Sequence, residues 1–295
     1  MHLFFIAILV AGNGCATIRK FNPLESKSLE SRRLTQEAEA AIHDADLDRA
    51  ESKLLAAIER DPTDGHARAV LADLLWERDE PAAAIEQMAK SIQLSGRRDP
   101  QQVASLGQML LTTGDNQSAL LRADEAIAVD PMLADAWTLK GFALRNQGKP
   151  EEALSAFFRS LSIRNGDPQT RLQIALIYQQ TGQSQRALSI LEAPHVESPE
   201  QCPHYAESCY LRGQLLRDLQ RPADAILALR DARAAGYQDT DLLFSLAEMQ
   251  IEEGELLQAR ATLNDAHAIV QPKDQSRLAE LQQHVEAQSP NALWR

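Results

Sequence analysis

Residues 134–167 read ADAWTLKGFALRNQGKPEEALSAFFRSLSIRNGD. Trp137 and Gly141 precede the glycine and proline in the middle of this stretch, and Ala153 and Phe157 follow them. Two short helices can therefore pack as a hairpin, because small residues at the crossing allow the close approach that ridge-into-groove packing requires. An aromatic ring fills the gap on each side. The stretch predicts a helix–turn–helix unit.

The same pattern recurs along the chain. A column of alanines follows at intervals of 34, 35, 34, 34, 38 and 34 residues: Ala50, Ala84, Ala119, Ala153, Ala187, Ala225 and Ala259. Twelve residues before each alanine stands a second small residue: Ala38, Ala72, Gly107, Gly141, Ala175, Gly213 and Ala247. Seven copies in register predict a stack of hairpins in which each unit packs only on its neighbours, rather than a bundle with coincidental alanines.

Turn residues occupy fixed places between the two columns. Glycines stand where the first helix would end in a left-handed residue: Gly114, Gly148, Gly182 and Gly254. Prolines stand two residues later, in the first turn of the next helix, where the missing N–H has no helical partner to lose: Pro81, Pro150 and Pro222. These places predict where one helix of each hairpin ends and the next begins.

This period and pattern resemble the tetratricopeptide repeat, a helix–turn–helix unit of 34 residues. The resemblance is strongest in residues 134–167, whose Trp137, Gly141, Ala153 and Phe157 stand at the signature places. Other copies carry aliphatic side chains where the signature has aromatics: Leu54, Met88, Leu191, Leu229 and Leu263. The resemblance implies an all-α, right-handed α-solenoid.

The repeats define the expected organisation of the chain. Seven repeats are predicted at 31–64, 65–98, 100–133, 134–167, 168–201, 206–239 and 240–273. Residues 274–288 follow as a capping helix, because Leu278, Leu281 and Val285 form one apolar stripe on an otherwise polar segment, and solenoids need a polar covering at their ends. Residues 289–295 are a tail.

The first residues carry a different signal. An apolar run from Leu3 to Ala11 is too short to span a bilayer but suits the core of a signal peptide over residues 1–14. Small residues followed by a single cysteine resemble the lipobox of bacterial lipoproteins, which implies a lipidated Cys15 and a tether over residues 15–30. Ala16 at the second place would, by this resemblance, favour the outer membrane.

Two features depart from the lipoprotein pattern. No Lys or Arg precedes the apolar run, and Gly12-Asn13 stands where a leucine and a small residue are usual. An export signal without a lipid, or a cytosolic protein with an apolar start, therefore remain open alternatives. The expected location is the cell envelope, through a lipid anchor at the outer membrane or the periplasmic side, with the cytoplasm as the alternative.

Charge and motifs limit the classes of function. The formal net charge is −12 with no Lys/Arg stripe, which argues against nucleic acid because its binding rests on phosphate neutralisation. The sequence has no phosphate-binding glycine loop and no nucleophile or metalloprotease motif. We therefore expect no enzyme activity, no cofactor and no small-molecule substrate.

Cys202 and Cys209 lie close together where four extra residues enter the repeat pattern. They are expected either as two unlinked thiols, with Cys209 as a small buried side chain, or as a disulfide in an oxidising compartment. His204 between them does not complete a metal site, because a fourth ligand at motif spacing is missing.

The resemblance places a partner-binding groove on the first helices of the hairpins, at their fifth, ninth and twelfth places. Eight residues at these places are predicted to bind a protein or peptide partner: Trp76, Phe142, Arg145, Leu172, Leu176, Tyr210, Arg217 and Phe244. Chaperone-binding members of the family use Lys and Asn there, and this chain lacks that pair. The alternatives are that these side chains pack against neighbouring helices or against another part of this same chain, or that the protein is a structural one that associates with itself.

Overall fold

The computed structural model describes residues 23–96, 99–192 and 204–288. Regular structure in these ranges is helical throughout, without a strand. The predicted signal peptide 1–14, Cys15, Cys202 and the tail 289–295 lie outside the described residues. No helix in the described part is both long enough and apolar enough to cross a membrane. The chain divides into two compact units at Arg97 and Arg98, and each is described by itself.

The first unit consists of two hairpins. Its helices are α1 (Pro23–His43), α2 (Leu47–Arg60), α3 (Gly65–Glu77) and α4 (Pro81–Ser95). Helix α1 packs on α2 and α3 on α4, and α3 also contacts both helices of the preceding hairpin. Asp46 and Asp64 begin two of the helices, because their carboxylates accept the free backbone N–H groups of Arg49 and Ala67.

The second unit consists of five hairpins and a final helix. Its helices are α5 (Pro100–Thr112), α6 (Asn116–Val129), α7 (Ala134–Asn146), α8 (Pro150–Ile163), α9 (Pro168–Gln180), α10 (Ser184–Leu191), α11 (Tyr205–Asp218), α12 (Pro222–Ala234), α13 (Thr240–Glu252), α14 (Leu256–Ile269) and α15 (Gln275–Gln288), with a 3₁₀ turn at Pro272–Asp274. Consecutive helices pack on one another, and α5 also contacts α7 as α9 contacts α11. This is the predicted all-α solenoid of helix–turn–helix repeats.

The two columns of small residues lie at the helix crossings, as the sequence predicts. Every member of the alanine column is fully buried, at 0% exposure. A methyl group added to Gly141 would lie 2.5 Å from the ring of Phe157, and one added to Gly213 would lie 2.6 Å from the side chain of Leu229. The small residue and the large one facing it are therefore a matched pair in these hairpins.

Each of the seven hairpins turns through a residue with positive φ, five residues before its column alanine. Four are the predicted glycines Gly114, Gly148, Gly182 and Gly254. The other three hairpins use Ala45 at 60°, Asp79 at 62° and Gln220 at 57°, where a side chain is disfavoured because Cβ approaches the following carbonyl oxygen. The turn geometry is therefore retained even where glycine is absent.

The start of α1 corrects one expectation. The predicted tether over residues 15–30 is too long, because α1 already begins at Pro23. Proline is well suited to the first turn of a helix. Helix α2 of the same hairpin holds this early segment in place: the Ser31 hydroxyl donates to the carbonyl oxygen of Ala57 at 3.0 Å, and Glu30 pairs with Arg60 at 2.7 Å.

Helix α15 covers the end of the stack. It packs on both α13 and α14, and Leu278 and Val285 are buried against the last hairpin, with Leu281 partly buried beside them. The rest of its surface is mostly polar and exposed. This is the predicted capping helix.

Candidate functional site

The predicted groove residues fall into both units. Trp76 is half-buried on α3 of the first unit, and the other seven lie on the first helices of hairpins in the second unit. We call the fifth, ninth and twelfth places of the five repeats in the second unit, which lie on α5, α7, α9, α11 and α13, the inner face. It comprises Ala104, Gln108, Leu111, Thr138, Phe142, Arg145, Leu172, Leu176, Gln179, Tyr210, Gln214, Arg217, Phe244, Glu248 and Ile251.

Two predicted groove residues belong to the core instead. Phe244 is completely buried, because α15 lies over it and the Arg277 guanidinium stands 4.9 Å from the centre of its ring. Leu172 is 5% exposed and packs in a cluster with Leu211 and Leu215 of the next hairpin. Neither side chain is available to a partner. The sequence pattern places both residues on first helices, as the structure does, but it does not show how deeply each side chain is buried.

Phe142 and Arg145 form the centre of the site. Phe142 is half-buried, and its ring stands edge-on to Phe157 with 5.4 Å between the centroids. One turn later, the guanidinium of Arg145 lies 5.3 Å from the centre of the Phe142 ring and donates to the side-chain oxygen of Gln173 on α9. Burial lowers the pKa of Arg145 from its ordinary value.

A cleft of about 280 Å³ opens beside Phe142. It is formed by α5, α7 and α9, and its lining comprises Gln101, Ala104, Ser105, Gln108, Asp135, Thr138, Leu139, Phe142 and Gln169. Amide and hydroxyl groups dominate this lining. Asp135 is the one carboxylate among these nine residues, and it is already paired with Arg164 at 2.8 Å. The cleft can therefore hydrogen-bond a ligand while Phe142 and Leu139 offer it apolar contact.

Polar contacts extend the site along α9 and α11. The Gln179 amide donates to the side-chain oxygen of Gln214 at 3.1 Å. Tyr210 stacks on Tyr237 with 4.7 Å between the ring centroids, and burial raises its pKa. Leu176 is half-buried against the same cluster as Leu172.

Arg217 stands one helical turn beyond Gln214 and is exposed. Phe142, Arg145, Leu176, Tyr210 and Arg217 thus remain accessible on the first helices α7, α9 and α11, whereas Leu172 and Phe244 are buried.

Sequence reasoning missed six residues of this site. Gln101, Ser105, Asp135, Leu139 and Gln169 line the cleft, and Gln173 holds Arg145. All six lie on first helices, at the second or sixth place of their repeats rather than at the fifth, ninth or twelfth. The repeat register, extended to these two places, is the signal in the sequence that could have found them.

The cysteine prediction is tested only for Cys209. Its side chain is 2% exposed and packs in the cluster of the last hairpins, which confirms the expected burial. A disulfide with Cys202 stays a prediction, because Cys202 lies outside the described residues. His204 pairs with Glu207 at 2.8 Å, and in the described part of the chain no three His, Cys, Asp or Glu side chains are grouped so as to hold a metal ion.

The chain matches the family model of the tetratricopeptide repeat. The model matches residues 35–102, 105–168 and 210–273. A curated protein of Methanocaldococcus jannaschii, uncharacterized protein MJ0572, is 44% identical over 50 residues, which are 17% of this chain. The chain spans 58% of the length of that relative.

Solved structures resemble most of the chain. A tetratricopeptide repeat protein from Parabacteroides merdae superposes with a TM-score of 0.61 at 14% identity, over 87% of this chain and 99% of the other. PilF of Pseudomonas aeruginosa superposes with a TM-score of 0.60 at 18% identity, over 77% of this chain and 99% of the other. PilW, a widely conserved type IV pilus biogenesis factor, superposes with a TM-score of 0.59 at 18% identity, over 73% of this chain and 96% of the other. At these identities the likeness is one of fold.

Proposed function

Since the chain belongs to the tetratricopeptide repeat family, we propose that it is an interaction scaffold that binds a segment of another protein on the inner face of its second unit. The observation that supports this most directly is the cleft beside Phe142, about 280 Å³ in volume. Clefts that combine apolar contact with a few convergent polar groups are the usual form of a binding site.

The composition of the inner face favours a polypeptide as the ligand. Half-buried aromatic rings such as Phe142 and Tyr210 offer a large contact area, and aromatic residues with arginine commonly dominate the binding energy of protein interfaces. The side-chain amides of Gln108, Gln179 and Gln214 can both donate and accept hydrogen bonds. An extended backbone presents the complementary N–H and C=O groups at regular intervals.

The binding proposal can be tested by selection from random short peptides displayed on phage. Wild-type protein is expected to enrich a related set of peptides. Gln108→Trp should abolish enrichment, because the indole fills the cleft from an exposed position and removes no buried contact. Phe158→Ser is the matched control, because this exposed ring lies on α8, away from the cleft. Circular dichroism would establish that all three proteins are folded.

Two results would contradict the binding proposal. Selection of no peptide by the wild-type protein would remove the inner face as a peptide site. Equal enrichment by Gln108→Trp would place the binding surface elsewhere. Phe142→Ser is a second test of the same face, and its loss of binding counts only if the variant melts as the wild-type protein does, since Phe142 also packs on Phe157.

We further propose that the scaffold is anchored in the bacterial cell envelope by a lipid on Cys15. The support is the sequence alone: an apolar run over residues 3–11, then Gly12, Asn13 and Gly14, then the cysteine. PilW is a pilus biogenesis factor, and a role in assembling envelope machinery is compatible with an anchored scaffold. The likeness to PilW is one of fold, so this proposal does not rest on it.

Intact-mass measurement of the protein from membrane and soluble fractions tests the anchor. We expect a membrane-bound chain that begins at Cys15 and carries the added mass of a diacylglyceryl and an acyl group. The Cys15→Ser variant should lose that mass and leave the membrane fraction. A full-length, unmodified wild-type chain in the soluble fraction would refute the anchor and leave the cytosolic alternative.

Self-association is a second candidate function. Leu227 on α12 is 58% exposed and Leu257 on α14 is 84% exposed, and both lie on second helices, away from the inner face. Exposed aliphatic side chains of this size can mark a contact between copies. Light scattering at rising protein concentration would detect it, and Leu227→Ser with Leu257→Ser should then restore the monomer.

A further inference from the structure

Only some of the charged side chains on the inner face have a partner of opposite charge. Among its fifteen places, those that carry a full charge at neutral pH are Arg145, Arg217 and Glu248. Glu248 is already neutralised, because Arg277 of the capping helix donates to it at 2.8 Å. The inner face is therefore basic, although the chain as a whole carries a formal net charge of −12.

Arg145 has uncharged neighbours. Its contacts are the side-chain oxygen of Gln173 and the ring of Phe142, and within the described ranges it forms no ion pair. Several arginines elsewhere in the second unit have carboxylate partners: Arg122 at 2.5 Å, Arg164 at 2.8 Å, Arg212 at 2.8 Å, Arg230 at 2.6 Å and Arg233 at 2.5 Å. Arg159 and Arg186 contact uncharged groups instead, but both are exposed to solvent. A half-buried guanidinium without a carboxylate loses hydration and receives no ion pair in return.

The contacts of Arg145 leave some of its hydrogen-bond donors unused. One N–H group of the guanidinium donates to Gln173, and the ring of Phe142 covers one face of the guanidinium. A guanidinium carries five N–H donors, so free donors remain. The cleft adjoining Phe142 contributes no repulsion, because its one carboxylate, Asp135, is paired with Arg164.

We propose that the inner face binds an acidic peptide segment, with a Glu or Asp side chain of the segment on Arg145 and a neighbouring apolar side chain in the cleft beside Phe142. This rests on the proposed function and names the chemistry of its ligand. The carboxylate belongs to a side chain within the segment rather than to a chain end, because the inner face continues on both sides of Arg145, towards Gln108 and towards Gln214.

Arg217 provides a second point of contact. It stands two repeats after Arg145 at the same place of the repeat, and it also forms no ion pair within the described residues. A segment long enough to pass Leu176 and Gln179 would bring a second acidic residue to it. Because the net charge of the protein repels acidic peptides at long range, recognition depends on these local contacts.

The composition of the peptides selected on phage is the first test. Wild-type protein should enrich peptides in which Glu or Asp stands beside a large apolar residue. Arg145→Gln should still select apolar peptides but lose the acidic preference. Arg186→Gln is the matched control: Arg186 is exposed on α10 and contacts Gln183, so its loss should leave the acidic preference unchanged.

Affinity measurements give the second test. The most enriched peptide would be synthesised with an amidated C-terminus and a fluorescent label, and its binding followed by anisotropy. Replacing its acidic residue by Gln should weaken binding about tenfold to a hundredfold, the range expected for one charge-assisted hydrogen-bonded pair. Arg145→Gln should weaken the acidic peptide equally and the Gln peptide no further. Arg145→Lys should be intermediate, because lysine keeps the charge and loses the planar fork.

The possible failures are distinguishable. Wild-type selection without acidic enrichment, or the same enrichment by Arg145→Gln, would overturn the acidic ligand and leave peptide binding intact. Loss of binding when the C-terminus of the peptide is amidated would assign the carboxylate to a chain end. That result would also overturn the proposal of an acidic side chain on Arg145. Selection of no peptide at all would refute peptide binding itself, and self-association abolished by Arg145→Gln would then give the site to a second copy.

Discussion

The residues with positive φ at the hairpin turns differ in backbone strain. Gly148 adopts a φ of 74° without hindrance, and a methyl group added to it would meet nothing within 4 Å. Ala45 adopts nearly the same backbone at 60°, where an L residue is less stable than glycine by about 1–2 kcal/mol. The sequence therefore places strain in three of the seven turns and none in the other four.

Reciprocal substitutions would measure this strain. Ala45→Gly should raise the free energy of unfolding by about 1 kcal/mol, after allowance for the extra freedom that glycine gives the unfolded chain. Gly148→Ala should lower it by a similar amount. Urea unfolding followed by circular dichroism measures both. A stabilising effect of Gly148→Ala would show that the left-handed turn is not retained in the folded protein.

Tyrosine ionisation should set an alkaline limit on the second unit. Burial, followed by a hydrogen bond to Cys209, raises the pKa of Tyr205 from 10.0 to about 12, and burial also raises the pKa of Tyr210 and Tyr237. The folded state thus favours the neutral phenol of Tyr205. Its stabilisation is complete below pH 10 and is lost as the pH rises from 10 towards about 12.

Urea midpoints measured across this range provide the test. Tyr205→Phe should flatten the alkaline decline and leave stability near neutral pH almost unchanged. Tyrosinate absorbance would report the ionisation directly. An identical decline in the variant would mean that another group determines the alkaline limit.

Among the elements, α15 has the most consequential position. It buries Phe244, which would otherwise lie on the inner face, and it brings Arg277 to Glu248. Its attachment depends on a few apolar contacts, chiefly those of Leu278 and Val285. One short helix therefore determines whether the last hairpin exposes an apolar surface.

Weakening α15 should expose that surface. Leu278→Ala removes a buried side chain and should lower the free energy of unfolding by about 2–4 kcal/mol. Because Phe244 then becomes accessible, binding of an apolar dye should increase before global unfolding in urea. Gln283→Ala is the control, since Gln283 is exposed on the same helix. Unchanged dye binding by Leu278→Ala would show that α15 is not what protects Phe244.

Most elements could be predicted from the sequence, for identifiable reasons. The crossings are specified by small residues such as Gly141, and the turns by Gly148 and Pro150. The beginning of α1 was missed because residues 23–30 lack an apolar stripe. What holds that segment is a contact with another element, the hydrogen bond from Ser31 to Ala57, and such contacts are not visible in local sequence.

At the scale of the whole molecule, stability should be distributed between neighbours. A repeat array has no contacts between distant units, so its stability is approximately a sum of repeat and interface contributions. Within the second unit, the described helices contact those next to them along the chain or one further on. A local defect should therefore remain local.

Hydrogen exchange of a Gly141→Ala variant would reveal this behaviour. The added methyl group overlaps the Phe157 ring at 2.5 Å, and overpacking of this kind costs about 1–3 kcal/mol. Exchange should accelerate in α7 and α8 and in the hairpins beside them, and remain at the wild-type rate in α14 and α15. Uniform acceleration along the second unit would mean that it unfolds as one cooperative body.

The binding site was less predictable than the fold. The repeat register identified the helix face that carries Phe142 and Arg145, since that depends on spacing alone. It could not distinguish Tyr210, which remains half-exposed, from Phe244, which α15 covers. Nor could it show that Arg145 contacts Gln173, because that contact joins two repeats. Burial and contacts between repeats are properties of the assembled stack.

The covering of Phe244 by α15 also gives the inner face a polarity. At α13 the capping helix covers the inner face with Arg277, whereas at α5 the exposed Gln108 borders the cleft. Within the second unit, a bound strand therefore meets a covered surface at one end and a polar cleft at the other. Its two possible orientations are not equivalent, and the order of residues in a ligand should matter as much as their composition.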